Sequence, residues 1–152
     1  MEHIPQTGEV TWIGVRTATR KKINELQEVK VNKNGLEGDR YKGDSGKRAV
    51  TLIQEEHLTV IKTLLNLPSI HPSTLRRNIV IKGINLLALK DKKFKIGNVI
   101  LEMTGYCHPC SRMEEALGDG GYNAMRGHGG ITAKVVEEGD IRVGDELEMI
   151  FS

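Results

Sequence analysis

A mainly β domain with short helices, closed into a mixed, largely antiparallel barrel, is the fold this sequence predicts. Strand-like runs are short and many, and a large share of the 17 glycines stand at their boundaries. The runs do not alternate with helices of about ten or more residues, as repeated βαβ units require. A barrel closes its own sheet edges, which suits many short strands in a chain of 152 residues.

In chain order, apolar and β-branched runs predict strands over 10–16, 49–53, 78–81, 99–103, 131–136 and 147–150. The clearest helical pattern covers 54–65, where Leu58, Ile61, Leu64 and Leu65 recur at helical spacing before Pro68 and Pro72 end it. Two segments look alike: Ile96-Gly97-Asn98-Val99 and Val143-Gly144-Asp145, each a glycine and a short polar residue between apolar runs. Both predict tight turns between strands, and shared turn chemistry accounts for the likeness without a duplicated domain.

The length fits one domain, 1–152, able to bury a core without metal or disulfide support. Hydrophobic residues at 38% and charged residues at 28% read as a soluble chain, and a net charge of +2 is too small to imply a nucleic-acid partner. No run approaches the roughly 18 apolar residues of a membrane span, and the first residues lack a signal-like apolar stretch. The expectation is a cytoplasmic protein with no membrane partner.

Both cysteines fall in Gly105-Tyr106-Cys107-His108-Pro109-Cys110-Ser111-Arg112-Met113-Glu114, between a strand-like run and a helix start. A thiol reacts or ligates as the thiolate, and its ordinary pKa of about 8.5 leaves it mostly protonated at neutral pH. Ser111 and Glu114 have the spacing of a capping box, so Ser111 is expected to cap a short helix that runs to Leu117 and stops at Gly118. Cys110 then stands just before the cap, where unpaired N–H groups, the helix dipole and Arg112 favour an anion. Cys110 is therefore the expected reactive sulfur, with Cys107 accessory.

Other polar groups have plainer readings beside the functional ones. The loop Gly38-Asp39-Arg40-Tyr41-Lys42-Gly43 presents N–H groups and positive charge to an oxyanion, or is a solvated turn with a salt-bridged Asp39. In Arg76-Arg77-Asn78-Ile79-Val80-Ile81 a loop becomes a strand, so these side chains emerge at a barrel rim, where ligands bind. Alternation puts Arg76 and Asn78 on one face and Arg77 on the other. His57 and His128 read as structural or surface residues. Cys107, His108, Cys110 and His128 lack the two close ligand pairs of a structural zinc site. A thioredoxin-like dithiol has the right local order, but the flanking chain lacks that fold's helix–strand alternation.

In order along the chain, Gly38-Asp39-Arg40, Thr51-Leu52-Ile53, Arg76-Arg77-Asn78-Ile79-Val80, Ile96-Gly97-Asn98-Val99, Cys107-His108-Pro109-Cys110-Ser111-Arg112, Gly129-Gly130-Ile131 and Val143-Gly144-Asp145 resemble a stand-alone MOSC domain. MOSC is the C-terminal domain type of molybdenum cofactor sulfurase, and the resemblance spans about 35–149. It implies a MOSC-type (PK-like) β-barrel, a cysteine that carries sulfur or ligates molybdenum, and a basic pocket for the phosphate and pterin of molybdopterin. Carried over here, Cys110 matches the catalytic or molybdenum-ligating cysteine. Arg40, Arg76, Asn78, Ser111 and Arg112 match the cofactor-binding set. Thiolate suits a soft metal and arginine forks suit phosphate.

The resemblance leaves several roles open: sulfur carrier, non-catalytic delivery module, or molybdenum-dependent reductase of N-hydroxylated compounds. A dithiol redox protein stands further off. The chain is too short for the pyridoxal-phosphate desulfurase domain of the full sulfurase. Any persulfide is thus expected from a partner, a cysteine desulfurase, and the other expected partner is a molybdoenzyme or cofactor-synthesis protein.

Overall fold

The computed structural model describes residues 7–17, 23–39, 46–107 and 117–150. Strands β1 (Gly8–Val15), β5 (Val50–Gln54), β6 (Ile79–Lys82), β7 (Lys93–Ile96), β8 (Val99–Tyr106), β9 (Ile131–Glu137) and β11 (Glu146–Met149) pair in the order β11-β7-β8-β9-β5-β6-β1, and β1 returns to β11. The sheet is a closed seven-strand mixed barrel, as its sequence predicts. β2 (Asn24–Leu26) adds to β1 outside the ring, and β3 (Glu28–Asn32), β4 (Gly35–Leu36) and β10 (Gly139–Arg142) form a small second sheet.

One pair departs from the antiparallel rule. β5 and β6 run parallel, Leu52 opposite Ile79, joined by helix α1 (Glu55–Leu64) and a 3-10 turn at Pro72–Leu75. A parallel pair needs such a crossover. The chain thus contains one βαβ unit, which the irregular spacing of helical signals conceals.

Alternation sorts the apolar residues of these strands into two cores. Val10, Ile13, Leu52, Ile79 and Ile81 point into the barrel with Phe94, Leu101 and Leu147. Trp12, Ile53 and Val80 point outward and are covered by Leu58 and Ile61 of α1, by Leu75, and by Ala124 and Met125 of a short helix α2 (Gly121–Met125). This explains why 50–53 is apolar without a break: both faces of β5 are buried. In β1 the register shifts between Val10 and Trp12, a bulge that lets Trp12 leave the barrel while Ile13 stays inside.

Helix α1 matches its expectation within a residue at each end, capped by Gln54 and Leu65. Its stripe is narrower than the spacing suggests, since Leu58 and Ile61 are buried while Leu64 is 60% exposed. Gly97-Asn98 is a tight hairpin turn, with Ile96 opposite Val99 and Gly97 at φ +58°. Gly144-Asp145 instead carries the chain from the small sheet into the barrel. The two similar turns meet: Gly97 packs on Asp145 and Asp140, and the Asn98 side-chain oxygen accepts from the Asp140 N–H at 2.8 Å.

Candidate functional site

The thiol segment leaves the barrel from the end of β8. Cys107 follows Tyr106, is 5% exposed, and donates its N–H to the Gly130 carbonyl at 2.8 Å. Two glycines make this approach possible. A Cβ on Gly129 would stand 2.3 Å from the Cys107 carbonyl oxygen, and one on Gly130 would stand 2.0 Å from that of Leu52. Gly130 also has φ +93°, where side chains are strained. Glycine at both positions lets the end of β8, the start of β9 and the middle of β5 come together.

Arg77 locks this junction from the side. Its side chain is buried; Nε donates to the Gly129 carbonyl at 2.8 Å and Nη1 to the Leu75 carbonyl at 2.9 Å. The expected alternation of Arg76, Arg77 and Asn78 is not observed, because the strand begins only at Ile79. Arg76 ends the 3-10 turn in the left-handed region (φ 57°, ψ 31°), which turns its half-buried side chain out of any strand register. Arg77 and Asn78 are both buried.

Asn78 is wholly enclosed and its amide is bonded within the protein. Oδ1 accepts from the Thr51 N–H at 3.0 Å and lies 3.2 Å from the Thr51 hydroxyl, while Nδ2 donates to the Gly14 carbonyl at 3.1 Å. Its backbone N–H reaches the Thr51 hydroxyl at 3.0 Å, and its carbonyl accepts from Gly14 at 2.7 Å. One residue thereby ties β1 and β5 together at the start of β6. The cofactor contact expected of Asn78 competes with these bonds.

A buried ion pair completes the frame. The Asp39 side chain, 1% exposed, accepts from Arg16 Nε at 3.1 Å, from Nη2 at 2.8 Å and from the Arg16 backbone N–H at 2.7 Å. Burial pushes the Asp39 carboxyl up, but the bonds and charge of Arg16, with help from Asn78, outweigh it and hold the group below the ordinary carboxylate range. Asp39 is thus salt-bridged as one sequence reading has it, yet buried rather than solvated. It ties the residues that follow β4 to the end of β1.

Among the expected site residues, Arg76 and Asn78 fall within this frame. Arg40, His108, Cys110, Ser111 and Arg112, and the capped helix expected from Ser111, lie outside the described residues. Sequence reasoning missed Arg16, and it underrated Arg77 because strand alternation was extended one residue too far. It also missed a pair of histidines beside the frame: the rings of His57 on α1 and His128 lie 5.2 Å apart, with planes at 72°. Burial, then His128, lower the basicity of His57, with Glu56 opposing. No cluster of three or more metal-ligating side chains occurs among the described residues. An open cleft lined by Leu64, Leu65, Asp119 and Asn123 lies between α1 and α2, and no expected site residue lines it.

A closed mixed barrel in which Cys107 meets Gly129 and Gly130 beside the buried Arg77 defines the class: a small β-barrel domain. The chain belongs to the MOSC domain family, whose model matches residues 32–148. That family is associated with the molybdenum cofactor. The fold is similar to that of the YuaD protein from Bacillus subtilis, at 16% identity and a TM-score of 0.84, covering 99% of this chain and 100% of that one. YiiM from Geobacillus stearothermophilus (16% identity, 95% of this chain, 75% of that one, TM-score 0.77) and YiiM from Escherichia coli (17%, 95%, 70%, 0.73) are also similar. At such identities the likeness is one of fold. A comparison with curated proteins finds no match. Among the described residues, no helix is long and apolar enough to cross a membrane.

Proposed function

We propose that this MOSC protein handles sulfur or molybdenum at Cys110, on a segment anchored by Arg77, Gly129 and Gly130, with a basic rim that takes the molybdopterin phosphate. The observation that carries this reading is the enclosure of Cys107. Its N–H is bonded to the Gly130 carbonyl, its own carbonyl lies close against Gly129, and its side chain is buried. Of the pair, Cys110 is the one left to act.

The donor set suits the cofactor in kind: a thiolate for a soft metal and arginine for a phosphate. Among the described candidates, Arg76 is the phosphate contact, because the Asn78 amide is bonded to Thr51 and Gly14. Arg40, Ser111 and Arg112 complete the proposed set, and the bound cofactor would supply the metal centre. As a sulfur carrier, the Cys110 thiolate attacks the outer sulfur of a desulfurase persulfide. The new S–S bond forms on Cys110 as the old one breaks, and the donor cysteine leaves as thiolate.

The test measures both loads on one preparation from a cofactor-competent, molybdate-supplied host. Near-stoichiometric molybdenum and pterin, lost in Cys110→Ala, support a ligating thiol. A mass increase of one sulfur on Cys110 after incubation with a desulfurase and cysteine supports the carrier. Neither load on the wild-type chain sinks the proposal.

A further inference from the structure

We propose that His57 and His128 form a two-histidine site for a borderline divalent cation, with Zn²⁺ as the probe, at the seam between α1 and the loop joining α2 to β9. The inference is independent of the chemistry at Cys110. It begins with spacing. Two imidazoles on one tetrahedral ion have metal–nitrogen distances of about 2.0–2.1 Å, which puts their ring centres roughly 5 Å apart. The rings of His57 and His128 are 5.2 Å apart with planes at 72°, which is the separation such a pair of ligands needs.

The second observation concerns the lone pair. His128 Nδ1 lies 3.1 Å from the Ala124 carbonyl oxygen. A carbonyl can only accept, so Nδ1 carries the proton and Nε2 carries the lone pair. A ring N–H fixed by a backbone carbonyl is the orienting contact that ligating histidines use. Both rings are half-buried, which leaves room for waters to complete the shell.

Glu56 precedes His57, and its carboxylate accepts from the Gly83 N–H at 3.0 Å. It contributes negative field and is not counted as a ligand. A cation held here joins α1 to the loop whose Gly129 and Gly130 carbonyls hold Arg77 and Cys107. Occupancy would stiffen the base of the thiol segment.

The rival explanation is a plain edge-to-face ring contact, which has the same spacing. Calorimetric titration of Zn²⁺ into the full chain, free of any histidine tag and carrying Cys110→Ala to remove thiolate binding, separates them. The expected result is saturable one-to-one binding, weakened about tenfold or more by His57→Gln or by His128→Gln. The double variant should be no worse than the weaker single. Long-range ¹H–¹⁵N spectra of the chain with both histidines intact should show Zn²⁺ shifting His128 Nε2 and a His57 nitrogen, so the outcome does not depend on how the variants fold. Absence of saturable binding at millimolar Zn²⁺, equal affinity in the variants, or ring nitrogens that do not shift would overturn the proposal.

Discussion

The two ends of β8 are both tied by polar groups, but in opposite ways. At its start, the Gly97-Asn98 turn is held to the Gly139–Asp145 segment by short side chains in contact with water, as in the bond from Asp140 N–H to Asn98. At its end, the chain runs into Cys107 past buried Arg77, enclosed Asn78 and the Arg16–Asp39 pair. Exposed ties give up little when broken, since water replaces the lost partner. Buried ones leave a charge or an amide stranded. A fold needing only a turn uses the first kind. The second kind is a costly way to hold strands together, and Arg77 places part of it beside Cys107 through the Gly129 carbonyl.

The sharpest way to break the contrast is to remove one partner of the buried ion pair. Arg16→Met should lower stability by about 3–5 kcal/mol, because Asp39 is left as an uncompensated buried acid. Urea unfolding measures it, and a loss as small as that of a surface pair would show that Asp39 reaches water. The pair also sets an acid limb. The Asp39 pKa is below its unfolded value, so the unfolded chain binds more protons. The stability this contributes is full above about pH 3.9 and declines as pH falls toward the folded-state pKa. Thermal melts of the wild type should show that decline, and Asp39→Asn should flatten it.

Next in size is Asn78→Ala. It strands the Thr51 N–H inside the barrel wall and removes the bond to Gly14. The expected cost is roughly 1–3 kcal/mol, read from the shift of the urea midpoint at constant slope. If the same variant also abolishes cofactor or sulfur loading while Asn78→Asp retains the fold, Asn78 serves the ligand as well as the strands.

The contrast also explains what the sequence discloses. The barrel was legible because short apolar runs mark its strands, with period-two burial clearest along β8 and the first half of β1. The helix was legible because Leu58 and Ile61 recur at helical spacing. Glu28–Asn32 carries the same alternation, but its charged outer face made it resemble a loop, so the small sheet was missed. The Arg16–Asp39 pair spans a long separation along the chain, and no local pattern announces such a partner. The left-handed turn at Arg76 is hidden for a different reason: arginine is not a residue that signals positive φ. The thiol segment is an expectation from chemistry that lies, beyond Cys107, outside the described residues; the glycine pair is read from order along the chain, and the buried Arg77 frame only from coordinates.

The smallest expected effect comes from the other end of β8, and it decides whether the contrast is real. Asn98→Ala removes the acceptor of the Asp140 N–H, but Asn98 and Asp140 are both exposed, so water takes the vacated place. The loss should be about 0.5–1 kcal/mol, the net worth of an exposed hydrogen bond. It should leave Cys110 alkylation rates unchanged, because the turn and the thiol segment stand at opposite ends of one strand. A loss as large as that of Asn78→Ala would mean that the turn is a structural keystone in its own right. The buried polar frame would then need no function to account for it.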